Sequence, residues 1–165
     1  MNPGDEIVLI VDRDNNPIGK TPRKIMRQQG LIHRATYILV FNASGQIFVQ
    51  KRSRQKDIYP AYLDIAAGGV VLADESYELS AARELREELG LQRLPLARHF
   101  DFYHEDSGNR VWGRVFSCRS EGPFVLQKEE VEDGFFMEVD AVFSRSATES
   151  FTPDGILILE KFLSE

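Results

Sequence analysis

One segment of this chain sets seven glycine or charged residues at defined distances from one another. It spans residues 68–91 and reads GGVVLADESYELSAARELREELGL. Counted from Gly69, Glu75 follows five intervening residues, and Arg83 follows seven more and opens the run RELREELGL. With each residue type used at roughly 6 to 7%, such a match arises by chance with a probability on the order of 10⁻⁸ per starting position. This spacing therefore constrains the fold and the chemistry of the chain more tightly than its composition does.

The segment predicts a loop followed by a helix over about residues 75–89. Asp74 or Ser76 can cap the start of the helix, and Gly90 stands where a left-handed residue would end it. At 100° per residue, one apolar stripe should face the protein interior. Its expected members are Ala82, Leu85 and Leu89, with Leu79 at the flank.

Three glutamates share the side of the helix opposite this stripe, namely Glu84, Glu87 and Glu88. Like charges at these spacings destabilise a helix by roughly 0.2 to 0.5 kcal/mol per pair, and anions near the C-terminal end oppose the helix dipole. A hard divalent cation offsets both penalties, because Mg²⁺ takes oxygen ligands and is usually held by carboxylates together with substrate phosphates. The helix face therefore predicts a magnesium site, and a Glu75–Arg83 pair is expected to orient its carboxylates.

The spacing resembles the Nudix box, G-x5-E-x7-R-E-U-x-E-E-x-G-U, in which U is apolar. Nudix hydrolases generally hydrolyse a nucleoside diphosphate linked to another moiety, X, with Mg²⁺ or Mn²⁺. The resemblance implies three metal-binding residues, Glu84, Glu87 and Glu88. It gives Arg83 an orienting role and uses the backbone of Gly69 to close the metal site. It also implies an α/β/α sandwich in which the box helix packs on a central mixed β-sheet.

Attack of water on a diphosphate requires an activated nucleophile and neutralised charge on the transferring group, and a carboxylate-held metal supplies both. A nearby ionised glutamate can accept the proton, and we assign this role to Glu87. Some family members use a glutamate from a distant loop instead. One such loop carries Glu129, Glu130 and Glu132, although an acidic run of this kind is also typical of a solvated surface.

Basic residues that could hold the diphosphate follow an apolar strand, at Arg52, Arg54 and Lys56. Because arginine can bind phosphate through two parallel hydrogen bonds, we predict substrate contacts from Arg52 and, as a second cation, from Lys56. Four aromatic residues could stack on a base or cover an apolar tail, but aromatic residues in strands usually belong to the core. They are Phe102, Tyr103, Trp112 and Phe116.

Length and charge limit the class of protein. A chain of 165 residues, 42% of them hydrophobic, fits one domain over residues 1–165 with a substantial core. The net charge of −6 argues against binding a nucleic-acid polymer and leaves a small diphosphate bridged by metal as the expected partner. Cys118 is the only cysteine, and the chain shows neither a signal peptide nor an 18-residue apolar stretch. We therefore expect a cytoplasmic protein without membrane contact, as a monomer or a homodimer.

Seven segments have the apolar and β-branched content of strands: 6–11, 36–42, 46–52, 62–67, 97–104, 110–118 and 133–138. Two further helices are expected, over residues 22–29 and 153–163. Thr152 would cap the second of these, with Pro153 at its first position. Strand-rich halves on either side of a central helix favour an α/β fold with a mixed sheet.

A second resemblance, to the N-terminal half of another enzyme, covers about 90 residues of this chain. The segments EIVLIVD, LIHRA and VQKR resemble type I isopentenyl diphosphate isomerase, a Nudix-fold enzyme, and residues 1–33 or so are expected to form an isomerase-like extension. The resemblance implies a cysteine just before the box glycine, a catalytic glutamate and histidine metal ligands. Gly68, Arg110, Val70 and Met26 stand at or near these positions here, and His33 alone is retained. Isomerisation is therefore the alternative to hydrolysis.

A Nudix-fold binding module without catalysis is a third interpretation. Such modules generally lose box glutamates, and all four are present here. Two residues with reactive side chains are better explained by structure, His33 as a structural histidine and Cys118 as a small buried hydrophobe. The sequence thus predicts a metal-dependent hydrolase that acts on the phosphoanhydride bond of a small diphosphate.

Overall fold

The computed structural model describes residues 2–165, in which eight strands form one sheet. The strands are β1 (Ile7–Val11), β2 (Pro17–Pro22), β3 (His33–Phe41), β4 (Ile47–Arg52), β5 (Leu63–Asp64), β6 (Ala97–Asp106), β7 (Asn109–Arg119) and β8 (Val131–Met137). Strand β3 pairs in parallel with β7 along its whole length. The other strand pairs are antiparallel. The sheet is therefore mixed, as predicted.

Helices cover both faces of this sheet. They are α1 (Arg23–Gln29), α2 (Tyr77–Leu89), α3 (Val139–Ser146) and α4 (Pro153–Leu163). Successive residues of β3 point to opposite faces, so that Ile38 packs in the cluster with α2 whereas Leu39 packs in the cluster with α3 and α4. The predicted α/β/α sandwich is confirmed. The described residues contain no helix with the length and apolar character needed to cross a bilayer.

Two elements escaped prediction from the sequence, β2 and α3. Strand β2 reads PIGKTP, and its prolines and glycine disfavour strands, but it lies at the edge of the sheet and pairs only with β1, where proline is tolerated. Helix α3 has eight residues and no side-chain cap. Because helices this short draw their stability from packing, burial of Val142 against the sheet explains why α3 forms.

The predicted strand over residues 62–67 is shorter in the structure. Only Leu63–Asp64 form β5, and the chain then runs beside β3 through isolated bridges, Ile38 with Ala67 and Ala35 with Val70. Gly68 explains the interruption, since its φ of 134° is a conformation that other residues rarely adopt. A Cβ atom there would lie 2.0 Å from the carbonyl oxygen of Thr36. The glycine thus lets the loop cross very close to β3.

Helix α2 begins and ends as the sequence indicates. The Ser76 hydroxyl accepts a hydrogen bond from the Leu79 amide, and Gly90 ends the helix with a φ of 70°. The predicted apolar stripe is partly wrong. Leu79 and Ala82 are exposed, and the buried face consists of Tyr77, Ser80, Ala81, Leu85, Glu88 and Leu89. The helix is rotated toward Ala81 and Glu88 because Tyr77 packs inward at its start and the Gly68 amide holds Glu88 near its end.

The N-terminal segment packs beside the loop that carries Gly68. Val8, Ile10, Met26 and Val70 form one buried apolar cluster that joins β1, α1 and this loop. Strand β1 also pairs with β3, at Ile10 and His33. The expected isomerase-like extension therefore adds a hairpin and a helix next to the predicted site.

Candidate active site

Two glycines bring the loop before α2 against the carboxylates of the helix. The Gly68 amide donates a hydrogen bond of 2.9 Å to Oε1 of Glu88. A Cβ atom on Gly69 would lie 2.8 Å from the carboxyl carbon of Glu84. Because real Cβ atoms do not approach that closely, a side chain at position 69 would displace Glu84. Gly68 and Gly69 thus form a recess in the loop, and the carboxylates of Glu84 and Glu88 occupy it.

Arg83 binds three carboxylates at once, those of Glu75, Glu84 and Glu87. Its guanidinium binds Glu75 through two hydrogen bonds, of 2.6 and 2.9 Å, so the predicted Glu75–Arg83 pair is present. The same guanidinium donates to Glu84 at 2.7 Å and to Glu87 at 3.1 Å. These contacts raise the pKa of Arg83 above its ordinary value, and the hydrogen bonds that it donates to Glu75 are the largest cause. The brace fixes where the Glu84 and Glu87 carboxylates point.

Glu88 differs from the expectation that the three metal-face glutamates are exposed. It is 5% exposed, and Arg83 does not pair with it. Burial, reinforced by the charge of Glu84, raises the pKa of Glu88 to about 8. Burial also raises the pKa of Glu84, against the opposing effect of Arg83. Glu88 is thus buried, Glu84 is largely buried with 14% of its side chain exposed, and the nearby positive charges do not offset the cost of burying these two carboxylates.

A hard divalent cation fits this arrangement, although among residues 2–165 no three side chains of the His, Cys, Asp or Glu type already converge on one point. The Arg83 guanidinium lies between Glu84 and Glu87 and partly takes the place of a positive ion. The available donors are carboxylate oxygens, which suit Mg²⁺ and Mn²⁺. The missing side chain at Gly69 is what allows the Glu84 carboxylate to approach the backbone of this loop. The residues therefore match the cation that the box implies.

The two predicted phosphate-binding residues, Lys56 and Arg52, have different surroundings in the structure. Lys56 forms an ion pair with Glu130 and lines the groove that contains Glu84 and Glu87. Arg52 does not line this groove, although it borders a smaller cavity with Glu88, and its guanidinium is bound by Asp64 and by the carbonyl oxygens of residues 58 and 59. Lys56 is therefore the cation that lines the groove with Glu84 and Glu87, and Arg52 supports the loop over residues 53–62.

Sequence reasoning missed two basic residues near the site, Arg23 and Arg27 on α1. Their Nε atoms lie 2.9 and 3.0 Å from the same oxygen of Asp57. Burial of Asp57 opposes its ionisation, but the two guanidinium groups hold the pKa of that carboxyl well below its usual range. The signal for this pair was available, because two arginines four residues apart lie on the same face of a helix. Their position beside the box glycines depends on the tertiary fold.

The remaining candidates are structural. Phe102 and Phe116 are buried in the core, as is Cys118, whose pKa burial raises to about 11. Burial lowers the pKa of His33 to about 3, so this side chain is a neutral imidazole at pH 7. Trp112 packs on Tyr103 with 5.6 Å between ring centroids and donates to the carbonyl oxygen of Arg13. None of these side chains can serve as a nucleophile at the glutamate face.

Comparison with known proteins identifies the family. A NUDIX domain model matches residues 31–157. The chain is 47% identical over 154 residues to YfcD, an uncharacterised Nudix hydrolase of Escherichia coli, with 93% of this chain and 84% of that protein covered. It is 41% identical over 158 residues to an uncharacterised Nudix hydrolase of Pseudomonas aeruginosa, with 96% and 94% covered.

Solved structures share the fold. DR0079 from Deinococcus radiodurans superimposes with a TM-score of 0.84 at 23% identity, over 94% of this chain and 98% of that one. The Nudix domain of NrtR from Shewanella oneidensis, crystallised with ADP-ribose, gives a TM-score of 0.66 at 14% identity, over 80% and 86%. The chain belongs to the Nudix hydrolase family, whose members generally cleave phosphoanhydride bonds.

Proposed function

We propose that this protein hydrolyses the phosphoanhydride bond of a small organic diphosphate with the help of Mg²⁺ or Mn²⁺. The observation that carries the proposal is the grouping of Glu84 and the buried Glu88 against the backbone of Gly68 and Gly69, where burial raises the pKa of both carboxyls although Arg83 is bound to Glu84. Glu84, Glu87 and Glu88 would hold the metal, with the backbone of Gly69 at its edge. A bound divalent ion supplies positive charge to the transferring phosphoryl group and acidifies a water molecule.

The chain's own residues divide the remaining tasks. Glu87 is the most exposed of the three glutamates, with 42% of its side chain accessible, and it is our candidate to accept the proton from water. Arg83 and Glu75 are positioning residues, because they hold the glutamates rather than contact substrate. Lys56 and Arg23, which line the same groove, would bind the phosphate oxygens of the substrate.

Glu130 is the competing candidate for the proton acceptor. The sequence favoured a solvated loop for residues 129–132, but Glu130 pairs with Lys56 and lines a cavity together with Glu88. Its neighbours Glu129 and Glu132 are exposed. Both glutamates are paired with a cation, Glu130 with Lys56 and Glu87 with Arg83, but Glu87 is the more exposed, at 42% against 24%, and we retain it for the role.

Two observations favour hydrolysis over isomerisation. Position 68 would have to carry the cysteine, yet a Cβ atom there would lie 2.0 Å from a backbone oxygen. Val70, at the position of a metal-binding histidine, is buried in the apolar cluster with Val8 and Met26. A binding module without catalysis is disfavoured because Glu75, Glu84, Glu87 and Glu88 are all retained and grouped around the recess. Cytoplasmic location, a single domain and a homodimer stay predictions from the sequence.

A substrate panel tests the proposal. Purified protein is incubated with nucleotide sugars, dinucleotides, ADP-ribose and isoprenoid diphosphates, with Mg²⁺, with Mn²⁺ and with EDTA. We include ADP-ribose because the NrtR relative was crystallised with it. Release of a phosphomonoester or phosphate that requires the metal is expected for at least one compound. No release from any of them with either ion would contradict hydrolysis, and rearranged isoprenoid product without release would favour the isomerase alternative.

A further inference from the structure

Asp57 binds two arginines that border the proposed site. Arg23 lines the groove at the box glutamates, and Arg23 and Arg27 both line the cavity beside the box glycines. Asp57 itself lines neither opening. Its carboxylate therefore contacts the arginines without bordering the space that a phosphate would occupy.

The hydrogen bonds of Asp57 fix one edge of each guanidinium group. One carboxylate oxygen accepts from Nε of Arg23 at 2.9 Å and from Nε of Arg27 at 3.0 Å. The other oxygen accepts from Nη2 of Arg23 at 3.2 Å, so that Arg23 is held through two parallel hydrogen bonds. Such a pair fixes the plane of a guanidinium group as well as its position. At most 15% of either arginine side chain is exposed, which restricts both groups further.

The remaining edges of the two guanidinium groups keep free donors. Within residues 2–165, no hydrogen bond starts from Nη1 of Arg23 or from Nη2 of Arg27. The carboxylate of Glu6 lies 3.6 Å from Nη1 of Arg23, which is beyond hydrogen-bond distance. Arginine binds phosphate through charge-assisted hydrogen bonds from such donors. Two neighbouring guanidinium groups are thus available to one diphosphate.

Asp57 also offsets the repulsion between the two arginines. Burial, together with the charge of Arg23, lowers the pKa of Arg27 against the opposing effect of Asp57. Burial opposes the charge of Arg23 as well, but the carboxylates around it, with Asp57 first, raise the pKa of Arg23 above its ordinary value. Like charges at short range repel each other unless a counter-charge lies beside both. Asp57 is that counter-charge, because one of its oxygens bridges the two arginines.

The same contacts join helix α1 to the loop that carries Lys56. Lys56 precedes Asp57 in the chain and lines the same groove and cavity as Arg23. Asp57 anchors this loop to two residues that lie one turn apart on one face of α1. Three cations from two elements are therefore held around the proposed place of the diphosphate.

We propose that Asp57 is a positioning residue for the substrate phosphates, which holds Arg23 and Arg27 side by side with their free donors toward the diphosphate. The inference rests on the proposed function for the place of the diphosphate. It adds Arg27 to the residues that bind phosphate, and it gives a carboxylate outside the glutamate face a part in binding an anion.

The sign of the change in affinity separates this role from two simpler ones. If Asp57 acted only through its charge, its removal would strengthen the binding of an anion, because like charges repel. If Asp57 only stabilised the fold, its removal would lower the melting temperature and leave the affinity of the folded protein unchanged. Removal of a positioning residue instead weakens the binding of an anion, although a negative charge has been taken away.

Binding of methylenediphosphonate provides the test, because this diphosphate analogue has no phosphoanhydride bond and no organic substituent on either phosphorus. Isothermal titration calorimetry of the whole chain at saturating Mg²⁺ gives its Kd for the wild type and for Asp57→Asn. We expect Asp57→Asn to raise Kd by about tenfold, a change within the usual range for coupling between residues of one salt-bridge network. An unchanged or lower Kd in Asp57→Asn, or no binding to the wild type, would overturn the inference.

Asp101→Asn is the matched control. Asp101 also has two arginine neighbours, since it accepts from Arg114 at 2.7 and 3.0 Å and lies 3.8 Å from Arg98. Its side chain is 26% exposed against 35% for Asp57, and it lines neither the groove nor the cavity. Asp101→Asn should lower the melting temperature to a similar extent and leave Kd unchanged. An equal rise of Kd in both variants would also overturn the inference.

Arg27→Gln tests the same site with Asp57 in place. We expect it to raise Kd by about tenfold, because it removes a charge-assisted hydrogen bond to phosphate. Arg98→Gln, which changes an exposed neighbour of the control aspartate, should leave Kd unchanged. If Asp57→Asn does not fold, Arg27→Gln decides, and an unchanged Kd in that variant would overturn the inference.

Kinetics with a compound that the substrate panel shows to be hydrolysed separate this inference from the proposed function. Asp57→Asn should raise KM by about tenfold with little change in kcat, because it acts on phosphate binding and not on the glutamates. Binding of methylenediphosphonate that depends on Asp57, without hydrolysis of any compound in the panel, would contradict the proposed function and leave the inference standing. Hydrolysis by the wild type with an unchanged Kd in Asp57→Asn would do the reverse.

Discussion

The Gly68 amide donates a hydrogen bond to Glu88, a carboxylate twenty residues later in the chain, at 2.9 Å. This bond draws Glu88 into the protein, where it is 5% exposed and not paired with Arg83. A box position that looks like part of an exposed acidic face is therefore a buried one. Its charge has consequences for stability as well as for catalysis.

Glu88 should make the stability of the metal-free protein depend on pH. Burial raises its pKa to about 8, above the ordinary value of 4.5. Because the folded-state pKa is the higher one, the stabilisation is fully present below about pH 4.5 and is lost as the pH rises toward about 8. The free energy of unfolding in EDTA should fall by up to about 1.4 kcal/mol per pH unit across this window from Glu88 alone.

Denaturant unfolding of the wild type, Glu88→Gln and Glu160→Gln at several pH values measures this component. Glu88→Gln should flatten the slope, and Glu160→Gln, which changes an exposed residue of α4, should leave it as in the wild type. A wild-type slope retained in Glu88→Gln would show that Glu88 does not titrate in this range.

Gly69→Ala should impair catalysis without unfolding the protein. The new methyl group would lie 2.8 Å from the Glu84 carboxyl carbon, so Glu84 must move. Because misplacing a reactive group by about 1 Å can cost on the order of 100-fold in rate, we expect a loss of about that size in kcat. Gly19→Ala is the control, since a Cβ atom there meets nothing within 4 Å. Hydrolysis at saturating substrate and thermal unfolding are the measurements, and near wild-type kcat in Gly69→Ala would mean that the recess is not part of the site.

Much of this site could be predicted from the sequence, because the box residues are spaced along one helix. The Glu75–Arg83 contact and the caps at Ser76 and Gly90 followed from local geometry. The burial of Glu88 did not, because it depends on an amide from a loop that the helix meets only after folding.

Dependence on tertiary contacts also explains why the sequence did not predict the role of Arg23 and Arg27. Arg23 and Arg27 become relevant only because Asp57, thirty or more residues away, binds them next to the box glycines. The cavity beside Gly68 and Gly69 is lined both by His33 and by Asp154, which come from distant parts of the chain. The spacing of residues along one helix can be recognised in a sequence, whereas contacts between distant segments depend on the topology of the sheet.

Arg83→Lys should show whether the brace positions the glutamates. Lysine keeps the charge but cannot bind Glu75 through two parallel hydrogen bonds while also reaching Glu84 and Glu87. We expect kcat to fall by about 10- to 100-fold, the usual cost of losing a group that orients metal ligands, with little change in KM. Steady-state kinetics measure both constants. The same change at Arg86, an exposed residue of α2, should have no effect, and equal losses in the two variants would deny Arg83 a special role.

Lys56→Ala should chiefly weaken substrate binding, whereas Arg52→Ala should chiefly lower stability. Lys56 lines the catalytic groove, so its loss should raise KM by about tenfold, with a smaller fall in melting temperature than in Arg52→Ala because the Glu130 it leaves behind is 24% exposed. Arg52 is the partner of Asp64, and removing it leaves a largely buried carboxylate, 14% exposed, without its cation, which costs about 3 kcal/mol of stability. Kinetics and thermal unfolding separate the two effects, and Arg54→Ala, an exposed neighbour, is the control. A raised KM with unchanged stability in Arg52→Ala would return Arg52 to the substrate-binding residues that the sequence predicted.

Comparison of Glu87→Gln with Glu130→Gln identifies which of the two glutamates accepts the proton. Glu87→Gln should lower kcat by about 100- to 10,000-fold at saturating metal, the range expected for loss of a general base, and should abolish the acidic limb of the pH profile of kcat/KM. Glu130→Gln should cost less than about tenfold and keep that limb, because Glu130 is less accessible than Glu87 and is held by Lys56. Titration with Mg²⁺ separates weakened metal binding from lost proton transfer, and Glu129→Gln, at an exposed neighbour, is the control. If Glu130→Gln instead abolishes the acidic limb while Glu87→Gln only weakens the response to Mg²⁺, the base lies in the loop and Glu87 serves the metal alone.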